Sequence, residues 1–119
     1  MIYFLDTSIL TIPRLIHKLE IKYPEILKNP IVISSISLNK INPIKFNKIA
    51  KKFQKGLTIW NYIDKNNFDL PINSDIKVLM TAVDYEKINS PDNVTFVTRN
   101  IILAHLANYY FGNDSILVI

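Results

Sequence analysis

Cysteine is absent from this 119-residue chain, which excludes both a disulfide framework and a thiolate metal site. Glycine is almost as scarce. Gly56 and Gly112 alone cannot build a glycine-rich dinucleotide fingerprint, a phosphate-cradling P-loop or the turn that presents a nucleophilic serine. His17 and His105 are too few for a histidine-rich zinc site, so oxygen would have to hold any metal, and oxygen sites suit hard cations such as magnesium or manganese. No run approaches the roughly 20 apolar residues that span a bilayer, and no basic segment followed by a long apolar stretch opens the chain. These absences together predict a soluble, cytoplasmic protein with no membrane partner.

What is present is an apolar majority and an uneven distribution of charge. Hydrophobic residues make up 49% of the sequence, enough to bury the core of one domain spanning residues 1–119. The formal charge is +4, yet Lys40, Lys45, Lys48, Lys51, Lys52 and Lys55 fall in one stretch with no acid among them. Acids are missing from Ile26 to Ile63. A polyanionic partner fits such a block, and so does a solvated helix surface in a lysine-rich chain.

Four apolar runs read as strands: Ile2 to Leu5, Ile31 to Ile33, Val94 to Val97 and Ser115 to Ile119. Helical patterns separate them. Pro13 suits a first helical turn, with Ile12, Leu15, Ile16 and Leu19 at helical spacing until Pro24 intervenes. Ser34 or Ser35 can cap a short helix carrying Ile36, Leu38 and Ile41. Asn42-Pro43 is a good N-cap and first-turn pair, and Phe46, Ile49, Phe53, Leu57 and Trp60 follow as one apolar helix face, with Gly56 ending or weakening that helix. After a polar loop from Asp64 to Asn73, Ser74 is expected to cap a helix with Ile76, Leu79, Met80 and Val83 on one face. A last helix begins at Ile101 and is expected to close at Gly112. Strands alternating with helices predict a three-layer α/β/α sandwich around a mostly parallel sheet of about four strands.

Parallel sheets gather ligand chemistry at the strands' C-terminal edge. Asp6 stands there, at the end of the first run, and reads either as a site carboxylate or as an Asx-turn or helix cap. Asp75 opens a helix, where it is either a dipole-favoured first-turn acid or a second carboxylate reaching the same crevice. Two such carboxylates can hold a divalent cation against a phosphate. Asn100 closes the third run and reads as a weak ligand or as the N-cap of the next helix. Lys45, Lys48, Lys52 and Lys55, with Arg14 and Arg99, are candidates to grip phosphates. Phe46, Phe53 and Trp60 read as core residues, Tyr109 to Phe111 as core packing or a dimer contact, and His105 as a partly buried helix residue.

Phe4-Leu5-Asp6-Thr7-Ser8, Ile31 to Leu38, Asp75 to Ala82 and Phe96-Val97-Thr98-Arg99-Asn100 resemble, in order and element type, the PIN domain family of metal-dependent ribonucleases. The resemblance implies a PIN-like α/β fold and endoribonuclease activity on RNA, with Mg²⁺ or Mn²⁺ held by Asp6 and Asp75. It also implies that Asn100 assists and that Thr7, Ser8 and Thr98 orient the ligands. Two departures alter the implied site. Asn39 and Lys40 stand where that family usually has a glutamate, and Asn100 stands where it has a final aspartate. Lys40 is therefore expected to neutralise Asp6 or Asp75 and to take the cation's place, with Asp64, Asp69 and Asp84 as candidates to compensate. The rival expectations are a silent PIN-like domain that binds RNA or a protein partner, and a structural subunit that assembles, as a homodimer for example, through its aromatic cluster.

Overall fold

The inner strands form because short runs of β-branched and aromatic residues, bounded by polar ones, are buried between helices. The computed structural model describes residues 1–64, 73–89, 93–112 and 115–119; Asp69 and most of the expected loop from Asp64 to Asn73 lie outside the described residues. Among these, five strands make one sheet: β1 (Ile2–Leu5), β2 (Ile31–Ser34), β3 (Leu57–Trp60), β4 (Val94–Thr98) and β5 (Ile116–Val118). Every pairing is parallel and the order is β3-β2-β1-β4-β5. The central strand is thus β1, and its successor residue is Asp6.

Successive side chains of a strand point to opposite faces, and the core divides accordingly. Leu5, Ile31, Ile33 and Val97 pack on one face with residues of α1 (Thr7–Thr11), α2 (Pro13–Lys22), α3 (Pro24–Leu27) and α5 (Pro43–Ala50). Phe4, Val32, Val94 and Phe96 pack on the other with α6 (Ser74–Asn89) and α7 (Ile101–Ala107). The short α4 (Ser35–Leu38) follows β2 directly. This is the expected three-layer sandwich, with five strands in place of four.

The extra strand corrects the sequence reading. The long helix expected from Pro43 through Trp60 stops at Ala50, and Leu57–Trp60 pairs with β2 instead. Gly56 lies in the turn that leads into β3, past the end of α5, and its φ of +86° lies in the left-handed region that side chains disfavour. The three-residue step from Leu57 to Trp60 imitates a helix face. In a strand it sends the two side chains to opposite sides, and Leu57 joins the α1–α5 core while Trp60 joins the α6–α7 core.

Helix ends follow the sequence with three differences. Ser34 and Asn42 cap as expected, accepting from the N–H groups of Ile36 and Ile44. At α6 the cap is Asn73, not Ser74, since Asn73 Oδ1 accepts from Ile76 N at 2.9 Å. The buried side of α6 is Val78, Leu79, Thr81 and Ala82, so Ile76, Met80 and Val83 flank the seam. Finally, α7 ends at Ala107, ahead of Gly112, whose φ is not positive. Phe111 is buried and stacks on Phe96 with ring centroids 6.2 Å apart, whereas Tyr109 and Tyr110 are exposed. His105 is exposed as well, not partly buried.

Candidate functional site

Asp6 is held at the sheet edge by its own backbone. Its N–H donates to Val97 O at 2.9 Å, extending the β1–β4 ladder, and its C=O accepts from Ile9 N as α1 begins. Asp6 therefore occupies the N-cap position of α1, yet its side chain makes no capping bond. The carboxylate turns inward and is 1% exposed. Oδ2 accepts from the hydroxyls of Ser8 and Thr98, each at 2.8 Å. Oδ1 is buried with no hydrogen-bond partner. A turn or cap would have used that oxygen, so neither accounts for its placement.

The two donors are themselves fixed by the turn after β4. Arg99 N–H donates to Ser8 Oγ at 3.2 Å and Asn100 N–H donates to Thr98 Oγ1 at 3.0 Å. Each hydroxyl thus receives a backbone proton and passes its own to Asp6. Burial pushes the Asp6 pKa above the ordinary carboxylate value, bonds from the Thr98 and Ser8 hydroxyls and the Thr7 backbone N–H pull it back, and the negative charge of Asp75 adds a smaller upward push. Burial outweighs these donors, so the net direction is upward.

Asp75 lies exposed in the first turn of α6. Two further hydroxyl pairs, which the sequence reading missed, hold the elements around it. Ser34 Oγ and Thr81 Oγ1 are 2.9 Å apart and bind α6 to the end of β2, while Thr7 Oγ1 and Ser37 Oγ, 2.5 Å apart, bind α1 to α4. The Thr7 side chain thus braces helices, and only its backbone N–H acts on the Asp6 carboxylate. Ser34, Ser37 and Thr81 are fully buried, and their signal was a polar residue recurring inside an otherwise apolar helix or strand. Lys77 stands 5.6 Å from the Tyr62 ring, and Tyr62 N–H donates to Ser35 Oγ, which closes the β3 side.

The remaining candidates are distributed more widely. Asn100 caps α7: its Oδ1 accepts from Ile102 N and Leu103 N at 3.0 and 3.2 Å. Arg99 is exposed at the rim, one residue from Thr98. Arg14 is exposed at the start of α2. Asn39 is the C-cap of α4 and exposed. Lys40 is exposed and makes no ion pair with Asp6 or Asp75 among the described residues; it lines a groove with Lys45, Lys48 and Lys52. Lys55 precedes Gly56, whose C=O accepts from Ile31 N where β2 begins, so it sits at the sheet edge opposite Asp6. The charges of Asp64 and Asp84 act on Tyr62.

Among the described residues no group of three or more histidine, aspartate or glutamate side chains gathers to hold a metal. What the edge offers is a pair of interacting carboxylates, one with a bare buried oxygen. Two carboxylates are fewer oxygens than a hard cation takes, so any such ion there would have to keep several waters. No helix among the described residues is long and apolar enough to cross a membrane. The chain matches no family model, no curated protein and no solved structure.

Proposed function

We propose that this chain is a PIN-like domain of the cytoplasm that acts on RNA as a metal-dependent endoribonuclease, with its cation site reduced to Asp6 and Asp75. The observation that carries this reading is the unpartnered Asp6 Oδ1, buried at the C-terminal edge of the central strand and facing the field of a second carboxylate. Leaving such an oxygen bare is costly, and a cation bound there relieves both the burial and the repulsion. Asp6 and Asp75 would hold Mg²⁺ or Mn²⁺. The ion supplies neutralisation of phosphate charge, which lowers the barrier to attack by water. Ser8 and Thr98 fix the Asp6 carboxylate through Oδ2 and leave Oδ1 for the ligand. Arg99, exposed beside them, is placed to pair with a phosphate.

The test is cleavage of end-labelled single-stranded RNA with Mn²⁺ or with chelator, comparing wild type with Asp6→Asn. Cleavage that needs Mn²⁺ and is lost in Asp6→Asn supports the reading. Equal cleavage by both proteins counts against it.

A second reading, a binding module without catalysis, is favoured by one observation. The Asn100 amide oxygen already accepts two backbone N–H groups, so the third ligand position is spent on capping α7. RNA then remains the partner through the lysines of α5. A protein partner or a second copy of the chain would use exposed Ile102 and Leu106 on α7 together with Tyr109 just past its end. Metal-independent RNA binding without cleavage would decide for this alternative.

A further inference from the structure

The lysines of the basic block surround a groove whose floor is apolar. Its volume is about 490 Å³, within the range of small-molecule sites and far more than a phosphate fills. Leu10, Ile16, Ile41 and Ile49 provide the apolar lining, and Lys40, Lys45, Lys48 and Lys52 the charge. Glu20 pairs with Lys52 and lies 3.9 Å from His17; the pair joins α2 to the turn after α5 and neutralises that lysine. Lys40, Lys45 and Lys48 are exposed and make no ion pair among the described residues.

The groove adjoins the Asp6 edge. Leu10 and Thr11 follow Asp6 by about one helical turn, a rise of ~5.4 Å. Lys40 to Asn42 follow α4, which the Thr7–Ser37 bond ties to the start of α1. From there α5 runs back toward the opposite sheet edge, where β3 begins, and carries Lys45 and Lys48 away from Asp6.

We propose that this groove seats a nucleotide of single-stranded RNA flanking the one at Asp6, its base on the aliphatic floor and its phosphates on Lys40, Lys45 and Lys48. The inference rests on the RNA reading above and adds the place and the chemistry of recognition. An anion without an apolar part would leave the floor unused, and an apolar ligand would leave three cations without partners. A nucleotide has both parts in one unit. Duplex RNA keeps its bases stacked inside, so the groove selects single strands.

The experiment is fluorescence polarisation of a short labelled oligouridylate in the presence of chelator, which separates binding from cleavage. Lys45→Glu/Lys48→Glu should weaken binding by about tenfold or more, and reduce the dependence of log K on log salt by about 0.7 for each phosphate that the variant no longer neutralises. Lys28→Glu/Lys51→Glu, exposed residues outside the groove with the same charge change, should change it far less. A base-free ribose phosphate oligomer of equal length should bind about tenfold more weakly, because no base fills the apolar floor. Equal weakening in the two double variants, or equal binding of the base-free oligomer, overturns the groove while leaving RNA binding intact. Displacement by polyglutamate as readily as by RNA of equal charge would assign the groove to acidic peptides. Wild-type protein that binds no RNA removes both the groove and the reading beneath it.

Discussion

Thr98 donates its hydroxyl to Asp6 Oδ2 at 2.8 Å across 92 residues of sequence, so the side chain that ends β4 fixes the carboxylate that follows β1. Both groups are buried. The bond holds Oδ2 turned toward β4 and leaves Oδ1 as the oxygen without a partner. One oxygen of the carboxylate is thus held by hydroxyl donors, and the other is buried without a hydrogen-bond partner.

Replacing Thr98 by valine keeps the shape and removes the donor. Loss of a hydrogen bond to a buried charged acceptor costs about 1–3 kcal/mol. The urea midpoint of Thr98→Val should fall accordingly with an unchanged slope. An unchanged midpoint would mean that Asp6 draws nothing from this hydroxyl.

Asp6 also sets a pH dependence whose sign follows from its raised pKa. The folded protein holds the Asp6 proton more tightly than the unfolded chain, so protonation favours folding. This contribution is fully present below the ordinary value of 3.8 and is lost as pH rises through the folded value. Asp6→Asn, neutral at every pH, should therefore melt higher than wild type at pH 7, with the difference vanishing below pH 3.8. A lower melting temperature at neutral pH would indicate that the ionised form is already satisfied.

Much of the fold was legible because the buried strands are continuous apolar runs and the caps Ser34 and Asn42 are chemically distinctive. Asp6 stood out as a charge following such a run. The β3 strand was hidden because Leu57 and Trp60 continue a helical spacing by coincidence, and Gly56, which does signal a break, does not say that a strand follows it. The partners of Asp6 were legible in Ser8 and Thr98, which lie close in sequence to strand ends. Ser34–Thr81 and Thr7–Ser37 were not, because a hydroxyl inside a helix announces no particular partner 30 or 47 residues away. Lys40 was misplaced for a related reason: its position after α4 fixes its sequence neighbours but not the direction of a long side chain.

Gly56→Ala isolates the backbone cost at that break. A Cβ there meets nothing within 4 Å, so the cost is conformational alone, about 1–2 kcal/mol for a left-handed residue with a side chain. Denaturant unfolding measures it. A neutral or stabilising effect would show that the turn before β3 takes another form.

Asn100→Asp restores a carboxylate while keeping a good α7 cap, since aspartate and asparagine rank alike at that position. An added negative charge near a bound cation strengthens its attraction, so calorimetry should show Mn²⁺ binding strengthened by about tenfold. Lys40→Glu should add less, because Lys40 lines the groove. The opposite ranking would place the Lys40 ammonium at the acidic edge.

Sharing of one divalent cation by Asp6 and Asp75 is measured by calorimetric titration of wild type and Asp75→Asn with Mn²⁺. The expected result is a single site in wild type, weakened by about tenfold or more in the variant, as removal of one of two charges near the ion requires. Equal affinity in the two proteins, or no binding to wild type, would contradict it.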